Sequence, residues 1–125
     1  MTSYGPFSAR CVAIHDGDTA TFDISLPFGF YLPGLDWNGK TNLSCRVYGI
    51  NAPELATDAG KAALAFAEAI LHVGDICLVT SHGWDKYGGR FDGSITLPDG
   101  SDFAQLMLDS GHARPYAGLT PGGSS

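Results

Sequence analysis

The stretch Arg10-Cys11-Val12-Ala13-Ile14-His15-Asp16-Gly17-Asp18-Thr19-Ala20-Thr21-Phe22-Asp23-Ile24 decides the fold. It holds two β-compatible runs, Arg10 to Ile14 and Thr19 to Ile24, around an Asp-Gly pair that favours a tight turn. It predicts a β-hairpin. Downstream, Leu43 to Ile50 predicts a third strand that ends in Asn51-Ala52-Pro53-Glu54, where Pro53 biases Ala52 away from helix. A helix follows, capped by Thr57 or Asp58 and stopped by Gly74, with Ala59, Ala62, Ala63, Phe66, Ala67 and Ile70 on its apolar face. Asp75 to Ser81 and Ser94 to Leu97 predict two more strands. Asp102 to Asp109 predicts a short helix, apolar at Phe103, Leu106 and Met107, with Gly111 placed to close it in the left-handed conformation.

This order describes one domain over residues 1–125, a five-stranded OB-type barrel (an α+β fold) with a helix inserted after the third strand and a short C-terminal helix. Between the second and third strands, residues 25–42 carry Pro33-Gly34 and Asn38-Gly39 turns among Phe28, Phe30, Tyr31, Leu32, Leu35 and Trp37. They predict a protruding ribbon. The glycine-rich end, 118–125, predicts a flexible tail.

The 125 residues suffice for one hydrophobic core, and no apolar run approaches the roughly 18 residues of a membrane helix. A soluble chain with no membrane contact is expected. Met1 to Pro6 show neither a basic leader nor an apolar segment, so cytoplasmic residence is the default expectation, with a mature secreted form equally compatible. Cys11, Cys45 and Cys77 are odd in number and lack CxxC spacing, which predicts free, buried thiols. The histidines, His15, His72, His82 and His112, show no zinc pattern. A net charge of -6 argues against a protein that coats nucleic acid, because backbone affinity comes mainly from lysine and arginine. A hydrolase is less constrained, since it holds one phosphate and borrows positive charge from a bound metal.

Four segments, Asp16-Gly17-Asp18-Thr19, Arg46-Val47-Tyr48-Gly49-Ile50-Asn51-Ala52-Pro53-Glu54, Asp85-Lys86-Tyr87-Gly88-Gly89-Arg90 and Leu108-Asp109-Ser110-Gly111-His112-Ala113, occur in the order found in the staphylococcal nuclease (thermonuclease) family. Over Cys11 to Tyr116 the chain resembles that family. The resemblance implies a Ca²⁺-dependent nuclease that cleaves phosphodiester bonds of DNA or RNA by in-line attack of water and leaves 3′-phosphate products. It implies that Asp18, Asn51 and the Ala52 carbonyl hold the metal. Arg46 and Arg90 would bind and neutralise the reacting phosphate, and Glu54 would orient or deprotonate the water. Lys86, Tyr87 and Tyr116 would hold neighbouring parts of the substrate. Residue chemistry agrees in part: Ca²⁺ takes oxygen ligands, and a guanidinium fork suits a phosphate. Arg46 in an apolar strand is also compatible with a side chain that merely reaches the barrel rim, and Asp18 with a plain turn residue.

Two departures stand out. Asn51 occupies a position where the family commonly has aspartate, which predicts weaker calcium binding, and two glycines rather than one precede Arg90. The alternative is a degenerate barrel used for binding or assembly, with self-association or a protein partner engaged through the aromatic 25–42 ribbon.

Overall fold

In a computed structural model, residues 4–24, 42–84 and 90–116 are described. They form β1 (Tyr4–Asp16), β2 (Thr19–Ile24), β3 (Asn42–Val47), β4 (Ile50–Asn51), α1 (Asp58–Ile70), β5 (Ile76–Trp84), β6 (Arg90–Thr96), α2 (Phe103–Asp109) and β7 (Arg114–Pro115). Five strands close a barrel in the order β1-β2-β3-β6-β5, with β5 returning to β1. Every barrel pairing is antiparallel except β3 with β6, which is parallel. This is the OB-type arrangement read from the sequence, with α1 inserted after β3 and α2 near the end. The predicted ribbon at 25–42 and tail at 118–125 lie almost wholly outside the described residues; of them, only Asn42 is described, as the first residue of β3.

Period-two alternation sorts the barrel's two faces. Ala20, Phe22 and Ile24 of β2, Leu43, Cys45 and Val47 of β3, and Phe91 and Ile95 of β6 point inward and are buried. The three thiols join them, unbonded and buried, and burial pushes Cys11 up to about 11 and Cys77 to about 12. At those values the thiols stay protonated, so the core reading of the cysteines stands. The helices contribute Ala63, Ala67 and the C-cap Leu71 from α1, and Phe103 and Met107 from α2, to the same core, all buried. Among the described residues no helix is long and apolar enough to cross a membrane.

Several expected boundaries move. β1 begins at Tyr4, not Arg10, because Tyr4 and Phe7 pair with Ser81 and Val79 of β5, a long-range gain invisible in a Gly-Pro-containing segment. The third strand breaks at Tyr48-Gly49, where Gly49 adopts φ 89, so the predicted Leu43 to Ile50 run becomes β3, a turn and β4. β6 starts at Arg90 rather than Ser94. Within it Gly93 is required, because a Cβ would lie 2.6 Å from the Phe91 ring and 2.9 Å from Cys45 Sγ. On α1, Ala63 and Ala67 are buried and Phe66 and Ile70 pack against the core as expected, but Ala59 and Ala62 are exposed and Gly60 joins the buried face. Thr57 caps α1 as expected, its Oγ1 accepting from Gly60 N at 2.9 Å, and Asp102, the expected first residue of the second helix, is its N-cap, the carboxylate accepting from Gln105 N at 3.0 Å. Gly111 takes φ 82, as a left-handed closing residue should.

Candidate functional site

The β1–β2 turn is built as an Asx-type turn, with Asp16 Oδ1 accepting from the Asp18 backbone N–H at 3.0 Å. Gly17 is buried at its tip, where an added Cβ would lie 2.8 Å from Ala52 Cβ and 3.0 Å from Ala63 Cβ. The turn therefore rests directly on the segment after β4 and on α1. Asp18 ties the same elements together. Its Oδ2 accepts from Ala52 N at 2.9 Å, its Oδ1 from Thr19 Oγ1 at 3.2 Å, and its backbone carbonyl from Val47 N at 2.8 Å.

Arg46 extends from β3 into this cluster. Nη1 donates to the Val47 and Ile50 carbonyls at 3.2 and 3.1 Å, and Nη2 donates to Asn51 Oδ1 at 3.2 Å. Nη2 also lies 3.7 Å from Asp18 Oδ2, both side chains being about 15% exposed or less (15% and 13%). The guanidinium carbon stands 4.8 Å from the Tyr116 ring centroid. Tyr116 arrives there because its N–H donates to the Gly49 carbonyl at 3.0 Å, directly after β7 pairs with β4 through Ile50↔Pro115 and Asn51↔Arg114. A buried, unpaired arginine is costly, and here every facing group is an acceptor or a π-face.

Asp18's carboxyl is raised from its ordinary value, first by burial and then by a hydrogen bond to Asp16, with the Ala52 N–H and the Arg46 charge pulling the other way. Two carboxylates in contact disfavour double ionisation unless a cation joins them. Around this point the available side-chain donors are oxygens: Asp16, Asp18 and Asn51. That chemistry suits a hard cation such as Ca²⁺ in kind. Among the described residues, however, no group of three or more His, Cys, Asp or Glu side chains is arranged to hold a metal.

Arg90 opens β6 opposite Ser44, and Arg46 stands opposite Asp92. Since Cys45, Val47, Phe91 and Gly93 face inward, Ser44, Arg46, Arg90 and Asp92 share the outer face, the two arginines one diagonal step apart on parallel strands. Glu54 is exposed beyond Ala52. Its backbone carbonyl accepts from Thr57 N and Oγ1, and its carboxylate makes no hydrogen bond or ion pair among the described residues. Lys86, Tyr87 and the Gly88-Gly89 pair lie outside the described residues.

Thus Asp18, Arg46, Asn51, Ala52 and Tyr116 come together, with Arg90 on the adjoining strand. Sequence reasoning missed Asp16 as the partner carboxylate, although its spacing of two from Asp18 across a glycine was the available signal. It also missed the outward row in which His15 Nε2 meets Thr21 Oγ1 at 2.7 Å and Thr21 Oγ1 meets Ser44 Oγ at 3.4 Å. No known protein-family model matches the chain, and no curated protein matches it significantly.

Proposed function

We propose that the protein is a nuclease of the staphylococcal nuclease type, hydrolysing phosphodiester bonds of DNA or RNA with Ca²⁺. The observation that carries the reading is the setting of Arg46. A guanidinium has five N–H donors. Among the described residues three are hydrogen-bonded to Val47 O, Ile50 O and Asn51 Oδ1, and the other two, with Asp18 Oδ2 3.7 Å from Nη2, are the number a bidentate phosphate contact requires.

In this reading Arg46 binds the scissile phosphate and follows it to the pentacovalent transition state. Arg90, from the neighbouring strand, adds a second positive charge and neutralises the leaving 5′ oxygen. Glu54, exposed and without a side-chain partner among the described residues, orients or deprotonates the attacking water. Asp18, Asn51 and the Ala52 carbonyl would hold the cation, with Asp16 orienting Asp18 through the turn. When bound, the metal supplies Lewis-acid polarisation of a phosphoryl oxygen. Donors aimed at developing charge, rather than at the ground state, carry the acceleration.

One observation favours the alternative, a barrel kept for binding without cleavage: the Asn51 amide brings no formal charge to the cation and is bonded to Arg46. A single assay separates the two. Single-stranded DNA and RNA are incubated with calcium and then with chelator, and products are resolved on gels. Cleavage with calcium, lost in chelator and reduced about 10²-fold or more in Arg46→Ala, is expected. No cleavage at any calcium concentration gives the case to the binding module.

A further inference from the structure

We propose that Tyr116 is a positioning residue for Arg46, and that the segment after α2 completes the anion site by docking on β4. The proposal rests on the reading of Arg46 as the phosphate-binding group, but its geometry is independent of cleavage.

The hydrogen bonds from Arg46 to Val47 O, Ile50 O and Asn51 Oδ1 lie along the edges of a planar group. Edge contacts fix its rotation in the plane and leave it able to tilt out of the plane. The Tyr116 ring, 4.8 Å from the guanidinium carbon, removes that freedom. This distance is inside the ~6 Å range over which a cation is attracted to an aromatic face. The ring is itself held by the Tyr116 N–H bond to Gly49 O and by the Ile50↔Pro115 and Asn51↔Arg114 pairing. The small β4–β7 sheet therefore supplies the Ile50 carbonyl, the Asn51 amide and the ring together. Ala113, buried and bonded through its N–H to Met107 O at 3.2 Å, anchors the segment to α2.

The ring face turned to Arg46 is closed to a nucleobase, which leaves only the opposite face of a half-buried ring for stacking. The resemblance implies base or ribose stacking for Tyr116; the geometry assigns it to the arginine. The two roles differ in what they predict for a ligand without a base. Positioning weakens inorganic phosphate and nucleotides equally, whereas stacking weakens nucleotides alone.

The test compares wild type with Tyr116→Phe, Tyr116→Trp and Tyr116→Leu. The Arg46 Nε–H resonance, assigned with Arg46→Lys, reports the side chain directly by NMR. Inorganic phosphate and a nucleoside 5′-monophosphate are then titrated. Wild type, Phe and Trp variants are expected to keep a dispersed, slowly exchanging Arg46 signal. In Tyr116→Leu the signal moves towards that of a solvated arginine, and both ligands bind about three-fold to ten-fold more weakly. An unchanged Arg46 signal in Tyr116→Leu, or a loss confined to the nucleotide, overturns the proposal. If the signal responds but phosphate never binds wild type, the positioning role stands and the nuclease reading fails.

Discussion

Asp18 is the residue at which stability and function pull apart. Burial and the Asp16 carboxylate raise its folded-state value above the usual 3.8 for an aspartate. For an acid whose value is raised on folding, the proton binds the folded state more tightly, so the contribution to stability is complete below the unfolded value. It is lost as pH rises through the higher folded value. Once ionised, Asp18 is therefore a liability to the fold, only partly offset by Arg46 and the Ala52 N–H. Asp18→Asn keeps an oxygen acceptor for Ala52 N and removes the buried charge. It should melt at or above the wild-type temperature at pH 7, and that advantage should vanish as pH falls to about 3, measured by calorimetry between pH 3 and 7. Calcium-dependent cleavage should fall in the same variant. A lower melting temperature at pH 7 would show that the Arg46 pair outweighs the desolvation of Asp18.

At the scale of elements, what could be read in the sequence was what neighbouring residues decide among themselves. The Asp16-Gly17-Asp18 turn, the Thr57 cap and the Gly111 closure are local hydrogen-bonding or backbone choices, and they were legible. The first half of β1, the start of β6 and the split of β3 from β4 were not, because partners far along the chain or a left-handed Gly49 decide them. The site divides in the same way. Asp18, Arg46 and Asn51 were visible as residue types in motifs, but the Arg46 cage depends on the β4–β7 pairing, which no local pattern encodes. Gly17 joins the two levels. It has no left-handed backbone to require glycine, so its constraint is crowding against Ala52, Ala63 and Met107. Gly17→Ala should cost about 1–3 kcal/mol in urea unfolding and displace Asp18 from Ala52 N, with reduced cleavage. Adding Ala52→Gly should recover part of both losses, since the two methyl groups compete for one space. Strictly additive losses would locate the strain elsewhere.

For the whole molecule, the proposed function raises the question of how a chain of net charge -6, with 13 acidic and 7 basic residues, would engage a polyanion. Long-range repulsion would work against it, so in the proposed function contact would depend on the few cations placed at the reacting phosphate. On the outer face of β3 and β6 those are Arg46 and Arg90. Single-stranded nucleic acid releases counterions as its phosphates are neutralised, and log affinity falls with log salt at about -0.7 per phosphate contact. Two such contacts give a slope of about -1.4, much shallower than that of proteins that coat nucleic acid with basic residues. The measurement needs binding without turnover, for which Glu54→Gln suits, because Glu54 makes no ion pair among the described residues and both arginines remain. Fluorescence anisotropy of a labelled single strand, with calcium held constant and salt varied from 50 to 200 mM, gives the slope. Arg90→Ala in that background should reduce it by about 0.7. A slope near -3 or steeper would mean that further cations, Lys86 first among them, share the strand, and that the two-arginine account of recognition is incomplete. A slope unaffected by Arg90→Ala would remove Arg90 from the phosphate and leave Arg46 as the site's phosphate-binding cation on this face.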